Sequence, residues 1–349
     1  MPATVIDCTD LDAEVGFFTS EVGFRVQLVT PADAPRRVVV EREGVALELR
    51  RSSANTPIRL SVDDPRGVGE LRSPGGSVVE LSVRSSEVEV PDNAPSLTVV
   101  DADAGGFGVG RAGMEYRDLL PDRWGGRFIA SHIRIDDGGD VADWVHFHRI
   151  RFQMIFVASG WVDVVYEDQG PPFRMHAGDC VLQPPQIRHR VLRSSAGLEV
   201  IEVGCPAEHD TLADHDLELP NASTAPERDF GGQRFVRHVA AGAPTAPWVD
   251  PSFVVRDTGI GDATAGLAGA SVVTHTSDAT ASALVHDGEF LLLVGLAGDA
   301  TLEVGDRTVD VRPRTSVAIP PGMPWCWQGH HADHEALVVS LPAGSVRRR

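Results

Sequence analysis

The sequence predicts a mostly-β protein built from barrels or sandwiches, with a small α+β piece in front of them. Three observations support this fold class. Short runs of Val, Ile and Leu recur at close spacing and are separated by Gly, Pro and Asp turns. Only residues 12–21 place their apolar side chains near a 3.6-residue period, which predicts a single clear helix. Residues 87–113 and 206–232, rich in acidic and small side chains, are typical of linkers.

The linkers divide the chain into three predicted domains. A chain of 349 residues is too long for one ordinary hydrophobic core, so a division is expected. We predict an α+β domain over residues 1–86, a β domain over residues 112–205 and a second β domain over residues 233–344. The clearest predicted strands of the two β domains are residues 128–135, 153–158, 162–167, 198–203, 290–296 and 336–341.

The composition excludes several classes of function. Asp and Glu total 50 against 31 Lys and Arg, and the formal net charge is -19. Nucleic acids and anionic membranes attract clustered positive charge, so neither partner is expected. The chain contains no lysine, and it therefore forms no Schiff base with pyridoxal phosphate and has no Walker-type phosphate loop. This Arg-only, Ala- and Gly-rich composition suggests a GC-rich bacterial genome.

The sequence also predicts the compartment. No apolar run reaches the roughly 18 residues of a membrane span, and the first residues lack the pattern of a secretory signal. The cytoplasm is therefore the expected location. The four cysteines are scattered without a CxxC pair, so neither a disulfide framework nor a thiolate zinc site is predicted.

The N-terminal domain has the predicted order βαβββ. Its strands are residues 4–8, 24–29, 37–41 and 45–50, with the helix after the first. This order resembles one module of the glyoxalase/vicinal-oxygen-chelate superfamily, and a second, shortened module would end at residues 73–81. The resemblance implies metal ligands at a His on the first strand and a Glu on the last. The first strand has no His, and Glu48 alone makes a poor site. We expect a non-catalytic module, used for dimerisation or for covering a substrate.

The middle domain contains the strongest chemical signal. His146 and His148 are two residues apart on a predicted strand, so both side chains point to the same face. After a turn, Gln153 can point back beside them, and His189 begins a strand that follows the Pro184-Pro185 pair. Three imidazoles and one side-chain oxygen would then converge. Nitrogen and oxygen ligands of this kind suit one divalent transition metal, which can be Fe, Mn, Ni, Zn or Cu.

At these residues the sequence resembles the cupin superfamily. The first cupin motif has two His one residue apart, then an acid and a Gly, and the second has Gly, Pro and a His. Seven positions keep the spacing: His146, His148, Gln153, Gly160, Gly178, Pro184 and His189. The resemblance implies a double-stranded β-helix, or jelly-roll, barrel with three His as metal ligands.

Two residues depart from the cupin pattern. Gln153 stands where most metal cupins have Glu, and Gln186 replaces a Gly. An ion held by neutral ligands keeps its full charge, so it should bind less tightly and polarise a bound anion more strongly. Gln153 is either a fourth ligand or a residue that orients a metal-bound water. Arg149 and Arg151 in the adjoining turn are candidates for holding an anionic substrate.

The C-terminal domain repeats the rhythm of the middle one without its ligands. Residues 290–298 match the stretch from Gln153 to Gly160, and residues 319–325 match the stretch that ends at His189. In this alignment Leu291 takes the place of Gln153 and Trp325 the place of His189, while Leu284 and His286 replace the paired His. We therefore predict a bicupin with one metal site.

The predicted function is that of a metal-dependent cupin enzyme, by resemblance to quercetinase-type dioxygenases that cleave small anionic, enolisable or aromatic substrates. Trp144, Ile155 and Val157 share the inward face and would form apolar walls, with Arg151 as the substrate clamp. A three-His thiol dioxygenase belongs to the same class. A cupin isomerase or lyase and a non-catalytic small-molecule binder remain open. A homodimer is possible. The His209-containing string, residues 205–216, is expected to be a solvated loop.

Overall fold

The computed structural model describes residues 3–64, 69–82, 88–276, 282–330 and 333–349, without the side chains of residues 329–330. Parts of the first predicted domain and the first residue of the first predicted linker lie outside the described residues. The chain forms two compact units, Met1–Glu87 and Val88–Arg349. The described part of the chain is mostly strand, so the mostly-β prediction is confirmed. None of its helices is long and apolar enough to cross a membrane.

The N-terminal unit contains one helical segment and two small sheets. The helix α1, Leu11–Gly16, begins at Asp10, whose carboxylate accepts a hydrogen bond from the Ala13 amide, and it ends in a π-turn, Phe17–Glu21. The predicted helix is thus present, with its second half wound more loosely. The strands are β1 Thr4–Cys8, β2 Arg25–Thr30, β3 Arg37–Arg42, β4 Val45–Arg51, β5 Arg59–Asp63, β6 Gly69–Arg72 and β7 Val78–Ser82. They form sheets ordered β1-β4-β3-β2 and β5-β7-β6, in which β1 is parallel to β4 and β5 to β7.

The larger unit contains the remaining strands, a short helix α2 (Ile260–Ala263) and one 3-10 turn (Arg111–Gly113). The strands are β8 Thr98–Val100, β9 Gly108–Val109, β10 Glu115–Asp118, β11 Ile129–Ile135, β12 Gly139–Asp140, β13 His146–His148, β14 Phe152–Ser159, β15 Trp161–Tyr166, β16 Phe173–His176, β17 Cys180–Leu182, β18 His189–Ser194, β19 Leu198–Cys205, β20 Thr211–Ala213, β21 Val236–His238, β22 Ala246–Pro247, β23 Phe253–Asp257, β24 Gly269–His275, β25 Leu284–His286, β26 Phe290–Ala297, β27 Ala300–Val304, β28 Arg307–Val311, β29 Ser316–Ala318, β30 Trp325–His330, β31 Glu335–Leu341 and β32 Val346–Arg348.

These strands build two barrels of the same topology. The middle barrel has one sheet in the order β21-β17-β14-β19-β11-β10-β9 and a second in the order β16-β15-β18-β13-β20. The C-terminal barrel has the matching orders β8-β29-β26-β31-β24-β23-β22 and β28-β27-β30-β25-β32. Along these orders each strand of one barrel corresponds to a strand of the other, so the internal repeat seen in the sequence is a repeat of the fold.

Each barrel contains one strand that lies outside the domain predicted for it. Strand β8 precedes the middle barrel in the chain but pairs with β29 of the C-terminal barrel. Strand β21 lies within the predicted C-terminal domain but pairs with β17 of the middle barrel. Each barrel therefore has an outer strand that comes from a segment on the other side of a predicted boundary.

One hydrophobic cluster joins the barrels. Phe290 of the C-terminal barrel is fully buried, stacks on Phe128 of the middle barrel at 4.2 Å between ring centroids, and meets Trp124 edge-on at 5.3 Å. The first sheet of each barrel contributes buried side chains to the same cluster. The first sheets of the two barrels therefore pack face to face. The second sheet of the middle barrel lies on the opposite side of that barrel's interior.

Candidate metal centre

The three predicted histidines lie together inside the middle barrel. His146 and His189 are cross-strand neighbours on β13 and β18, and their ring centroids are 4.2 Å apart. The His148 ring lies 5.2 Å from each of the others. One ring nitrogen from each residue lies within 4.8 Å of the others, and all three residues are buried. The alternation of β13 brings His146 and His148 to one face, as the sequence predicts.

The other ring nitrogen of each histidine has a partner in the protein. Nδ1 of His146 donates to the Trp144 carbonyl at 2.8 Å, and Nδ1 of His189 donates to the Ile187 carbonyl at 3.0 Å. A carbonyl oxygen only accepts, so Nδ1 carries the hydrogen and the lone pair is at Nε2. Nδ1 of His148 lies 2.9 Å from the Thr211 hydroxyl. This pattern orients imidazoles as metal ligands through Nε2.

Two buried polar atoms beside the histidines fit the binding of a cation. Nε2 of His146 and Oε1 of Gln153 are both buried without a hydrogen-bond partner. Unpaired buried polar atoms are costly, and each is rare enough in native proteins to need an explanation. Both atoms carry lone pairs, which are what a divalent cation accepts. The donor set therefore fits a transition metal, with Gln153 either as ligand or beside it.

The histidines are held in the neutral form that binds metal. Burial is the largest cause that lowers the pKa of His146, followed by the nearby positive charge of Arg111. Burial likewise lowers the pKa of His148 to about 2, and burial and the two neighbouring imidazoles lower that of His189 well below its ordinary value. Since metal ligation requires the unprotonated ring, this electrostatic setting favours ligation at neutral pH.

The lowered pKa values predict acid sensitivity of the metal-free protein. A histidine protonates near pH 6.5 when unfolded but stays neutral in this fold, so the unfolded state takes up more protons below that pH. Stability should therefore fall as the pH drops from 7 to 5, with up to about 2 kcal/mol from His148 alone. Urea unfolding of the metal-free protein and of His148→Gln at both pH values measures this. An equal loss of stability in the two proteins would contradict it.

His148 and His189 line a cavity of about 430 Å³, whereas His146 is fully buried and is not part of its lining. Its walls are mainly apolar or aromatic, and its polar lining includes Arg111, Gln153, Gln183, Glu202 and His209. The Gln183 amide donates to the buried Tyr166 hydroxyl at 2.7 Å, so this part of the wall is internally satisfied. Such a cavity suits a small molecule with an apolar body and a few polar groups.

Of the four predicted substrate-binding residues, the structure places one in the cavity lining. Ile155 lines the cavity, as predicted. Val157, also predicted as wall, is fully buried in the packing behind it and does not line the cavity. The predictions for Trp144 and Arg151 are corrected. The Trp144 side chain is 42% exposed and packs near Arg111, because it precedes the strand whose alternation was used to place it. Arg151 pairs with Glu289 of the C-terminal barrel at 2.8 Å and lies outside the cavity lining.

Three cavity residues were missed by the sequence reasoning. Arg111 is tied by an ion pair to the buried Asp143, whose Oδ1 lies 3.6 Å from Nδ1 of His146. His209, assigned to a solvated loop, lines the cavity with its ring 5.3 Å from that of His148. Glu202 on β19 accepts a hydrogen bond from Nε2 of Gln153 at 2.5 Å. Glu202 carried a usable signal, because it and Glu199 are two charged residues in a strand whose other side chains are apolar or absent.

The C-terminal barrel has no equivalent centre in its described residues. Leu284 pairs with Trp325 on β25 and β30, in the register that joins His146 to His189. Trp325, Trp327 and Phe253 are buried in the interior, and Nε2 of His286 donates to the Ile319 carbonyl at 2.7 Å. Within the described ranges, no three His, Cys, Asp or Glu side chains of this barrel converge as in the middle one.

Comparison with solved structures supports the cupin architecture. Protein Ylba from E. coli superposes with a TM-score of 0.52 at 10% identity, over 73% of this chain and 94% of that one. An oxalate decarboxylase from Bacillus subtilis gives 0.52 at 11% identity, over 76% and 82%. One from Lactobacillus farciminis gives 0.52 at 13%, over 75% and 90%. These neighbours are cupin proteins, and the likeness shows the fold alone. No family description and no curated protein matches the sequence.

Proposed function

We propose that the middle barrel binds one divalent transition metal through His146, His148 and His189, with Gln153 beside it. The observation that carries this proposal is that one ring nitrogen from each of the three histidines lies within 4.8 Å of the others. The unpartnered His146 Nε2 and Gln153 Oε1 add to it. The candidates remain Fe, Mn, Ni, Zn and Cu. A Bacillus subtilis oxalate decarboxylase of the same fold has Mn(II) centres, which makes Mn(II) a suitable first probe.

The charges around the site favour a monoanionic substrate. A divalent ion and Arg111 bring three positive charges, whereas Asp143 and Glu202 bring two negative ones, so one positive charge remains. The remaining arginine of the lining, Arg134, is paired with Glu115 at 2.6 Å. An enolate, phenolate or carboxylate would complete the neutralisation. The apolar walls add affinity for an aromatic or aliphatic body.

We propose further that the protein is an oxygenase of the dioxygenase type. A bound metal would supply Lewis acidity toward an enolate or catecholate oxygen and a route for O₂ to react with the activated carbon. The protein's own residues orient the imidazoles, exclude water through the apolar wall and hold the substrate anion in a positive field. Ile155 belongs to that wall, and Arg111 supplies part of the field.

Two measurements test the proposed function. Elemental analysis of freshly purified protein should find about one transition-metal ion per chain. Oxygen uptake should then appear with a panel of catechols, β-diketones and 2-hydroxy aromatic acids. Turnover without oxygen uptake would favour an isomerase or lyase, and metal-dependent binding without turnover would favour a small-molecule binder. Absence of metal binding would remove the basis of all three.

We propose that the N-terminal unit is a glyoxalase-like module without a metal site. The β1-β4-β3-β2 order after a βαβββ sequence supports this, and Glu48 is engaged by Arg37 at 2.8 Å.

Strand β2 is exposed along its whole length and carries Val26, Leu28 and Val29. Such an apolar edge fits the predicted homodimer, which a light-scattering mass of twice 37.4 kDa would support and a monomer mass would contradict. All four cysteines are unpaired.

A further inference from the structure

The amide of Gln153 is held from one side by a carboxylate on the neighbouring strand. Nε2 of Gln153 donates to Oε1 of Glu202 at 2.5 Å, and this is the hydrogen bond that the described structure gives to Glu202. Gln153 is 2% exposed, and both residues line the cavity together with His148 and His189. The amide oxygen lies at the opposite end of the group and is buried without a partner.

The charge of Glu202 permits only one orientation of that amide. An ionised carboxylate is purely an acceptor, so it attracts the amide NH₂ and repels the amide oxygen. A flip of the Gln153 amide would place two acceptors at hydrogen-bond distance inside a barrel, where such a conflict is expensive. Glu202 therefore directs Oε1 away from itself and keeps the lone pairs of that oxygen available in the cavity.

The C-terminal barrel provides an internal comparison. In the middle barrel, Gln153 pairs with Gly204 and the next residue on that face, Ile155, pairs with Glu202. In the C-terminal barrel the same register gives Leu291 with Ser340 and Leu293 with Val338. The positions of Gln153 and Glu202 are thus held by Leu291 and Val338. Both polar residues are absent together from the barrel without converging histidines, as expected if they act as one pair.

We propose that Glu202 is a positioning residue that fixes Oε1 of Gln153 toward the ion held by the three histidines. This inference rests on the proposed metal site and deepens it. The negative charge of Glu202 is then separated from the ion by the Gln153 amide, instead of being in direct contact with the ion. The open side of the ion keeps enough positive charge to attract a small anionic substrate, while the amide oxygen completes the neutral ligand set.

Mn(II) binding by the full chain tests the positioning role. Glu202→Leu removes the carboxylate with little change in volume and frees the amide to rotate. Mn(II) affinity should fall by about 10- to 100-fold, the usual effect of losing a partner that orients a ligand. The measurement is the electron paramagnetic resonance signal of free Mn(II) during titration. An affinity within about twofold of the native protein would overturn the proposal.

An exchange of the two side chains gives a second, independent test. The double variant Q153E/E202Q keeps the composition and a hydrogen bond between the positions, but it turns a carboxylate toward the ion. Mn(II) should bind at least about tenfold more tightly than to the native protein, because an added unit charge now faces the cation directly. The visible spectrum of bound Co(II) should change as well. Unchanged affinity and spectrum would show that position 153 does not face the ion.

The control separates this inference from the proposed function. Glu208→Leu removes the same charge from an exposed position close to the cavity and should leave Mn(II) affinity within about twofold of native. Circular dichroism and thermal melting establish that each variant is folded. Failure of the native protein to bind Mn(II), Co(II) or Fe(II) would remove the metal site itself, and Glu202 would lose its proposed role with it. If the native protein binds metal and neither Glu202 variant changes the Mn(II) affinity, only the proposed role of Glu202 is refuted.

Discussion

Replacing His146 by alanine is expected to abolish stoichiometric metal binding. His146 supplies one of three converging nitrogens, is fully buried, and has an Nε2 that is buried without a hydrogen-bond partner. Two imidazoles and a neutral amide leave a divalent ion with too few ligands, so the affinity should drop by more than about 100-fold. Elemental analysis should then find well under about 0.1 ion per chain in the variant, against about one in the native protein.

The matched control for this experiment is His286→Ala. His286 is also fully buried on a three-residue strand, and it occupies in the C-terminal barrel the position that His148 has in the middle one. Its loss should leave the metal content unchanged, because its ring is engaged by a carbonyl and no converging ligands accompany it in the described residues. Equal metal content in the native protein and in His146→Ala would refute the site.

Phe290→Ala is expected to cause a large loss of stability without touching the metal centre. The Phe290 ring is fully buried between the barrels and contacts both Phe128 and Trp124. Truncation leaves a cavity at the joint and removes two aromatic contacts, so the free energy of unfolding should fall by about 3–5 kcal/mol. Urea unfolding followed by tryptophan fluorescence measures the change, since Trp124 lies at the same joint.

Phe290→Leu is the comparison that tests the cause. Leucine keeps most of the buried volume, so it should cost clearly less than alanine, roughly 1–2 kcal/mol. The folded Phe290→Ala protein should still bind metal, because His146, His148 and His189 lie in a separate part of the barrel from this cluster. A loss below about 1 kcal/mol for alanine would mean that the barrels do not depend on this contact.

The sequence predicted the convergence of the three histidines where local geometry decides it. His146 and His148 are fixed to one face by strand alternation, and His189 follows from the second motif. The helix in the N-terminal unit and most strand positions were likewise set by local periodicity and turn residues. The paired barrels followed from the repeat of motif positions, with Leu284 and Trp325 in the register of His146 and His189.

The errors arose where distant segments decide a side chain's surroundings. Arg151 directly precedes β14, yet its partner is Glu289, which is 138 positions further along the chain and belongs to the other barrel. Glu202 and His209 reach the cavity through β19 and the segment after it, and their approach to Gln153 and His148 depends on pairing that no local pattern encodes. The alternation rule also failed for Trp144, which precedes the strand and is not part of it.

The exchange of β8 and β21 has a consequence for how the chain can be divided. A piece that ends at residue 205 lacks β21 and leaves the β17 edge open, and a piece that begins at residue 233 lacks β8 and leaves the β29 edge open. Open edges of this kind invite pairing with other chains. Neither barrel is complete without a strand from outside its predicted domain. Deleting, duplicating or moving one predicted domain would therefore leave the other barrel with an open edge. The barrel without converging histidines is in this way retained by the barrel that has them.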